Sequence, residues 1–236
     1  MMKERLSVVI PCLDEAGNII QLLESLQPLR EAGHELIVVD GGSSDNTPVL
    51  AAPYADCVVN APRGRAKQMN AGAQSASGDI LWFLHADSSI CCDALEVIAR
   101  SLTSVECCWG RFDVTLSGRK PLLRLIEFMM NWRSRLTGIA TGDQGVFVRR
   151  HAFFAAGGYP EIALMEDIAL SRKLKRMSWP RCLKQRIGTS SRRWEQHGII
   201  RTMIRMWWLR LAYALGADPN KLANQYAQCS SPIRNS

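Results

Sequence analysis

Ile80-Leu81-Trp82-Phe83-Leu84-His85-Ala86-Asp87 is an apolar run that ends on a solitary acid. A short continuous apolar run fits a strand buried on both faces, as in a parallel sheet covered by helices. Glu35-Leu36-Ile37-Val38-Val39-Asp40 repeats the pattern and again delivers an Asp at its carboxyl end. In open α/β sheets, ligands sit beyond the carboxyl ends of the strands. Two acids there suit a nucleotide base or ribose on one side and a divalent cation on the other. The functional reading turns on whether Asp87 holds that metal.

Outward from these runs, strands alternate with helical patterns. Leu6 to Ile10 reads as a strand closed by Pro11, and Cys57 to Val59 as another. Asp14 to Leu29 reads as a helix capped by Asp14, with Ile19, Ile20, Leu22, Leu23 and Leu26 on a 3.6-residue period. A short helix starts at Thr47, and further helices are predicted over Ala66 to Ser77 and Cys92 to Leu102. The expected fold class is therefore α/β, with a mainly parallel central sheet and helices on both faces. After Ser104 the pattern changes. Cys108 to Leu116 alternates like a strand with one polar side, Leu122 to Leu136 is helical, Gly145 to Val148 is a short strand, and Met165 to Met177 and Glu195 to Leu215 are helices. No linker or repeat separates the parts. One domain over 1–236 is expected, with a nucleotide half over about 1–104, an acceptor half over about 105–190 and a helical extension over about 191–236.

Composition fits this picture. Apolar residues make up 47% and charged residues 22%, a globular rather than a disordered balance. The net charge of +7, concentrated between Arg172 and Arg210, suits anionic partners such as nucleotide phosphates, lipid phosphates or an acidic membrane face. The eight cysteines form no Cys-x-x-Cys pair and His is scarce, which argues against a zinc site and for reduced thiols in a cytoplasmic protein. The adjacent pairs Cys91-Cys92 and Cys107-Cys108 read as small apolar residues at element edges rather than as a thiolate site. No uncharged stretch reaches the roughly 20 residues of a membrane span.

The residue types at the strand ends carry the chemistry. The Asp40 carboxylate either accepts hydrogen bonds from a base edge or opens the Gly-rich turn that follows it. Arg65 and Lys67 sit at a loop-to-helix junction, where cationic heads and free helix amides suit a pyrophosphate. Asp45 and Thr47 read as caps of the short helix. Asp143 has glycines close on both sides, which leaves its carboxylate accessible to a sugar or an acceptor.

In chain order the motifs are Pro11-Cys12-Leu13-Asp14-Glu15, Val39-Asp40-Gly41-Gly42-Ser43-Ser44-Asp45, Gly64-Arg65-Ala66-Lys67-Gln68-Met69-Asn70, His85-Ala86-Asp87, and Gly157-Gly158-Tyr159-Pro160 leading to Glu166-Asp167. This set resembles the inverting family 2 glycosyltransferases of the GT-A, or nucleotide-diphospho-sugar transferase, fold. With Thr141-Gly142-Asp143-Gln144-Gly145 and Arg192-Arg193-Trp194-Glu195, it is similar to a bacterial subfamily associated with arsenosugar biosynthesis and with radical-SAM selenodomain neighbourhoods. The resemblance implies a sugar-nucleotide donor contacted by Pro11, Glu15, Asp40, Arg65, Lys67, Asn70, His85, Ala86 and Asp87, with Mn²⁺ or Mg²⁺ on Asp87. Glu15 reads equally as a first-turn acid complementing a helix dipole. The usual Asp-x-Asp is altered here, because His85 holds the first position. His85 then binds metal, meets the ribose, or is a satisfied strand-end histidine. Of Glu166 and Asp167, the second falls at the position of the general base on the acceptor hydroxyl. Arg193 and Trp194 resemble an Arg-Trp element that closes over donor and acceptor.

The implied acceptor is a small organoarsenic metabolite, with a polyprenyl phosphate at the membrane surface as the alternative. No nucleic acid is expected. A non-catalytic scaffold is disfavoured because both Asp87 and Asp167 are kept. The C-terminal helix, with Arg201, Arg205 and Arg210, either lies on the inner membrane face or packs on the core or on the second copy of a homodimer, and packing is preferred.

Overall fold

The computed structural model describes residues 4–91, 93–102 and 107–228, without the side chains of residues 193, 227 and 228. Among them, seven strands form one sheet in the order β3-β2-β1-β4-β6-β5-β7. These are β1 (Leu6–Cys12), β2 (Glu35–Asp40), β3 (Cys57–Asn60), β4 (Ile80–Phe83), β5 (Trp109–Leu116), β6 (Phe147–Arg149) and β7 (Arg181–Thr189). The β3-β2-β1-β4 block is parallel, β6 runs antiparallel to both β4 and β5, and β7 returns parallel to β5. The strand order reverses around β1, so the crevice between the carboxyl ends of β1 and β4 is the switch point where such sheets bind ligands.

Side chains alternate across the sheet because the strand period is two. Val8 and Ile10 of β1, with Leu36 and Val38 of β2, face α1 (Ile19–Glu31). Val9, Ile37 and Val39 face α3 (Arg65–Ser75) on the other side. Gly72 sets the approach of α3, since a Cβ there would lie 2.4 Å from Val9 Cγ1 and 2.8 Å from Val39 Cγ2. The remaining helices are α2 (Thr47–Ala51), α4 (Ala94–Ser101), α5 (Pro121–Thr137), α6 (Arg150–Ala155), α7 (Glu166–Lys175), α8 (Arg192–His197), α9 (Ile199–Ala214) and α10 (Pro219–Gln228).

Helix α5 is pinned to β5 by polar contacts. Asn131 Oδ1 accepts from the Val114 N–H (2.8 Å) while its Nδ2 donates to the Val114 carbonyl (3.0 Å). Asp113 pairs with the buried Arg111 and with Arg135.

Two expectations are corrected, and one strand is added. The Asp14 residue does not cap α1, which starts at Ile19. Asp14 adopts a left-handed backbone (φ 54°), and its Oδ1 accepts from the Ser44 N–H (2.7 Å) across to the next loop. The helix predicted over Glu195 to Leu215 breaks at Gly198 (φ 83°) into α8 and α9. Strand β7 lies in the charged stretch that carried no strand signal. As an outer strand it leaves Arg181, Lys184 and Arg186 largely in solvent, where charge blunts edge pairing. Cys92, the predicted start of the helix over Cys92 to Leu102, lies outside the described residues.

Candidate active site

A cavity of about 630 Å³ opens at the carboxyl ends of β1 and β4. Of the predicted residues, Pro11, Glu15, Arg65, His85, Ala86, Asp87, Asp143 and Trp194 line it. Asp87 sits in a tight turn, closed by the Ser88 N–H on the His85 carbonyl (3.0 Å). The next residue, Ser89, exchanges two backbone hydrogen bonds with Gly188 of β7. The acid is therefore held between the two halves of the sheet.

Asp40, Lys67 and Asn70 are not on the cavity wall. Asp40 is buried, and its carboxylate accepts from the Gly42 N–H (3.0 Å), the Ser43 N–H (3.0 Å) and the Ser43 hydroxyl, so it closes its own turn. Lys67 is exposed. It stands two residues from Arg65 and so faces away, whereas Gln68, three residues on, shares the Arg65 face. Asn70 clamps the Gly157-Gly158-Tyr159 turn, donating to the Tyr159 carbonyl (2.8 Å) and accepting from its N–H (3.0 Å). Neither Asp45 nor Thr47 is the cap expected of them: the N-cap is Asn46, Asp45 accepts from the Thr47 N–H at 2.9 Å, and the Thr47 hydroxyl accepts from the Glu15 N–H at 2.8 Å.

Arg65 Nη2 lies 3.2 Å from His85 Nδ1. The same nitrogen stands 3.6 Å from Asp143 Oδ1, so the ring lies between the Arg65 cation and the Asp143 carboxylate. His85 thus steadies a cation at the place where an Asp-x-Asp motif would set its first carboxylate. Gly142 packs against the ring face, where a Cβ would fall 2.7 Å from His85 Nε2.

Asp87 is held above the usual carboxylate range, first by burial and then by the negative charges of Asp143 and Glu15, with Arg65 opposing. This surplus of negative charge around an oxygen ligand fits a hard divalent cation. Among the described residues no three such side chains converge into a complete metal shell. Asp87 would therefore share the ion with ligands supplied by a diphosphate. The thiol of Cys12 on the same wall is pushed up to about 12, chiefly by burial and the Asp40 charge, and is inert as a nucleophile.

Glu166 and Asp167 open α7 behind this wall. Met165, left-handed at φ 71°, turns the chain into the helix. Asp167 Oδ2 accepts from the Gly142 N–H at 3.0 Å. The turn so tied is a 3₁₀ turn, Gly142–Gln144, braced by a reciprocal cap between Thr141 and Gln144, and it carries Asp143. Glu166 is buried, and burial, with the adjacent Asp167 charge, raises its pKa. Neither acid forms part of the cavity wall; Asp143 does.

A second, mainly apolar pocket of about 250 Å³ lies between α5 and α9 and meets the first at Asp143 and Trp194. Met129, Met130, Met203 and Met206 contribute to its wall, with Arg133 and Arg210 among them. Burial lowers both guanidinium pKa values, that of Arg133 to about 10, and each cation feels the Asp167 charge. Arg133 Nε and Nη2 and Arg210 Nε are buried without a hydrogen-bond partner among the described residues. The side chain of Arg193 lies outside the described residues.

The Glycosyl transferase family 2 profile matches residues 7–157, well over half of the chain. The chain belongs to glycosyltransferase family 2. An uncharacterised glycosyltransferase of Mycobacterium bovis is 29% identical over 144 residues, 57% of this chain and 62% of that protein. The undecaprenyl-phosphate 4-deoxy-4-formamido-L-arabinose transferase of Proteus mirabilis is 30% identical over 168 residues, 62% of this chain and 48% of that protein. The chain thus spans roughly half to three-fifths of the length of these curated relatives. Among solved structures, the mannosyltransferase PcManGT from Pyrobaculum calidifontis, in complex with GDP-Man and Mn²⁺, superposes with a TM-score of 0.70 at 20% identity, over 97% of this chain and 70% of that one. That likeness establishes the GT-A fold.

Several residues of this family 2 site escaped the sequence reading. Gln68 was only part of a quoted motif, yet its Nε2 donates to the carbonyls of Cys12 (2.7 Å) and Val39 (3.0 Å) and so locks the ends of β1 and β2. Arg63, Thr189 and Arg192 add to the cavity wall. Arg133 lies in a stretch read only as helical, and Arg210 was grouped with Arg201 and Arg205 on the C-terminal helix. No one-dimensional spacing marks either as inward-facing.

Proposed function

We propose that the chain transfers a sugar, with inversion, from a nucleoside-diphosphate donor to a hydroxyl acceptor. The observation that carries this reading is the junction of two cavities at Asp143 and Trp194. One is polar and holds Asp87 with Arg63 and Arg65, while the other is apolar. A donor diphosphate fits the first cavity, where the arginines complement its oxygens. When bound on Asp87, a divalent cation supplies charge stabilisation for the leaving diphosphate.

Asp143 faces both cavities and is assigned to hold the sugar or acceptor hydroxyls. Asp167 takes the acceptor proton, an assignment supported by its motif position and by its bond to the turn that presents Asp143. A polyprenyl phosphate, the acceptor class suggested by the name of the Proteus relative, is already ionised near neutral pH and needs no base. Asp143 at the junction, with Asp167 tied to its turn, therefore favours a hydroxyl acceptor. Nothing in the wall selects arsenic: its one thiol among the described residues, Cys12, is inert, so the reading stops at the hydroxyl.

The test uses the whole chain with Mn²⁺ and a panel of UDP- and GDP-sugars, reading released nucleoside diphosphate. Turnover of at least one donor, lost in Asp87→Asn, is expected. No turnover of any donor, together with no diphosphate binding, overturns the proposal.

A further inference from the structure

The pocket between α5 and α9 combines features that one ligand chemistry satisfies together. Two partly buried like charges, Arg133 and Arg210, stand in a mainly apolar enclosure, and Arg133 also feels the nearby Arg210 cation. Arg133 Nη1 donates to the Ile139 carbonyl (3.3 Å), but leaving Arg133 Nε and Nη2 and Arg210 Nε unpaired among the described residues is costly, and a bound anion with hydrogen-bonding oxygens removes that cost. Around the arginines the wall is methionine, an adaptable surface for a flexible apolar chain. The inner end of the pocket meets the proposed donor cavity at Asp143.

The outer end is equally distinctive. Trp207 belongs to the pocket wall and is also 49% exposed. On the same helix Ile204, Trp208 and Leu211 are also exposed. An exposed face rich in tryptophan, on a chain of net charge +7, fits the boundary of an anionic lipid layer. No helix among the described residues is long and apolar enough to cross a membrane, so this face would lie on the layer rather than span it.

We propose that the α5–α9 pocket is the acceptor site, that it takes a hydroxyl-bearing amphiphile with a phosphate-type anion from a lipid surface, and that Arg133 and Arg210 select the anion. The proposal rests on the glycosyl-transfer reading for the hydroxyl placed at Asp143 and Asp167. The anion is held on the arginines and takes no part in bond making.

Binding is measured on the full chain by calorimetry, without any donor, using octanoyl lysophosphatidic acid below its micelle concentration. Octanoylglycerol, which lacks the anion, and glycerol 3-phosphate, which lacks the chain, are the comparisons. Lysophosphatidic acid is expected to bind at least about tenfold more tightly than either. Arg210→Gln is expected to weaken lysophosphatidic acid by about tenfold while leaving octanoylglycerol unchanged, and Arg210→Lys to recover most of the loss. Equal affinity for the charged and uncharged amphiphiles overturns the proposal. So does an Arg210→Gln loss that falls equally on both, since that reports damage to the pocket rather than loss of an anion contact.

The lipid source is read separately, by flotation with vesicles of phosphatidylcholine and phosphatidylglycerol. Flotation lost in Trp208→Glu, with lysophosphatidic acid binding in solution intact, is expected, and failure of the unaltered chain to float overturns the lipid surface. Diphosphate release from a nucleotide sugar with no amphiphile binding removes this inference alone. Amphiphile binding without turnover of any donor removes the acceptor role.

Discussion

Asp167 and Gly142 are joined by a 3.0 Å hydrogen bond from the Gly142 backbone N–H to the Asp167 carboxylate, which ties the first turn of α7 to the turn carrying Asp143. The two acids therefore move as one unit, although only Asp143 reaches the cavity wall. An Asp167→Asn variant keeps an acceptor oxygen for Gly142 but no longer takes a proton. Transfer to a hydroxyl acceptor should fall by about 10²–10⁴-fold with donor affinity and melting temperature nearly unchanged. Asp143→Asn should act mainly on KM. Steady-state kinetics on the two variants separates the roles, and a loss confined to KM in Asp167→Asn would reject it as the base.

Glu166 supplies a pH dependence of stability. Its folded-state pKa is raised by burial and by Asp167, so between the ordinary glutamate value and the raised one the folded state binds more protons than the unfolded state. Stability must then fall as pH climbs through that window, the reverse of a salt-bridged carboxylate. Glu166→Gln should remove this fall, and denaturant titrations below and above the window would show the two proteins converging at the acid end.

On the proposed reading, Asp87 governs metal linkage. Its charge surplus with Asp143 and Glu15 means that a bound divalent cation relieves repulsion as well as meeting a diphosphate. Mn²⁺ should tighten nucleoside diphosphate binding, a chelator should reverse the effect, and Asp87→Asn should reduce the Mn²⁺-dependent gain by about tenfold or more. Calorimetry with and without Mn²⁺ checks this, and an unchanged gain in the variant would move the metal elsewhere.

The parallel half of the fold was legible because its strands are apolar on both faces and its helices are amphipathic, so Leu36 to Val39 and Ile19 to Leu26 declared themselves by period alone. Strand β7 was hidden because an outer strand carries Arg181, Lys184 and Arg186 into solvent and erases the alternation. The cavity wall was legible where a residue ends a strand, as with Pro11 and Asp87. It was misread where direction around a helix or a turn decides, as with Lys67, Asn70 and Asp40. The arginines of the second pocket depend on how α5 and α9 pack, a relation between segments about 80 residues apart.

Gly72 tests the packing that sets α3 against the sheet. A Cβ at this position meets Val9 and Val39 inside contact distance, and both are strand residues with no room to retreat. Gly72→Ala should destabilise the chain by about 1–3 kcal/mol despite the better helix propensity of alanine. Urea unfolding gives the answer, and a more stable variant would show that α3 shifts freely.

Asp40 separates a turn-closing acid from a base-reading one. Its carboxylate accepts two backbone N–H groups and a hydroxyl within its own loop, and Ser43 and Ser44 of that loop bond to Asp14 rather than line the cavity wall. Asp40→Ala strands those donors and should cost about 2 kcal/mol of stability. Loosening the loop is also expected to weaken donor binding, so absolute affinity does not discriminate. The ratio of GDP to UDP affinity does. A residue that reads the base edge changes that ratio when it is removed, whereas one that only closes the turn weakens both nucleotides together. An unchanged ratio is the expected result, and a shift of about tenfold or more would return Asp40 to the nucleotide site.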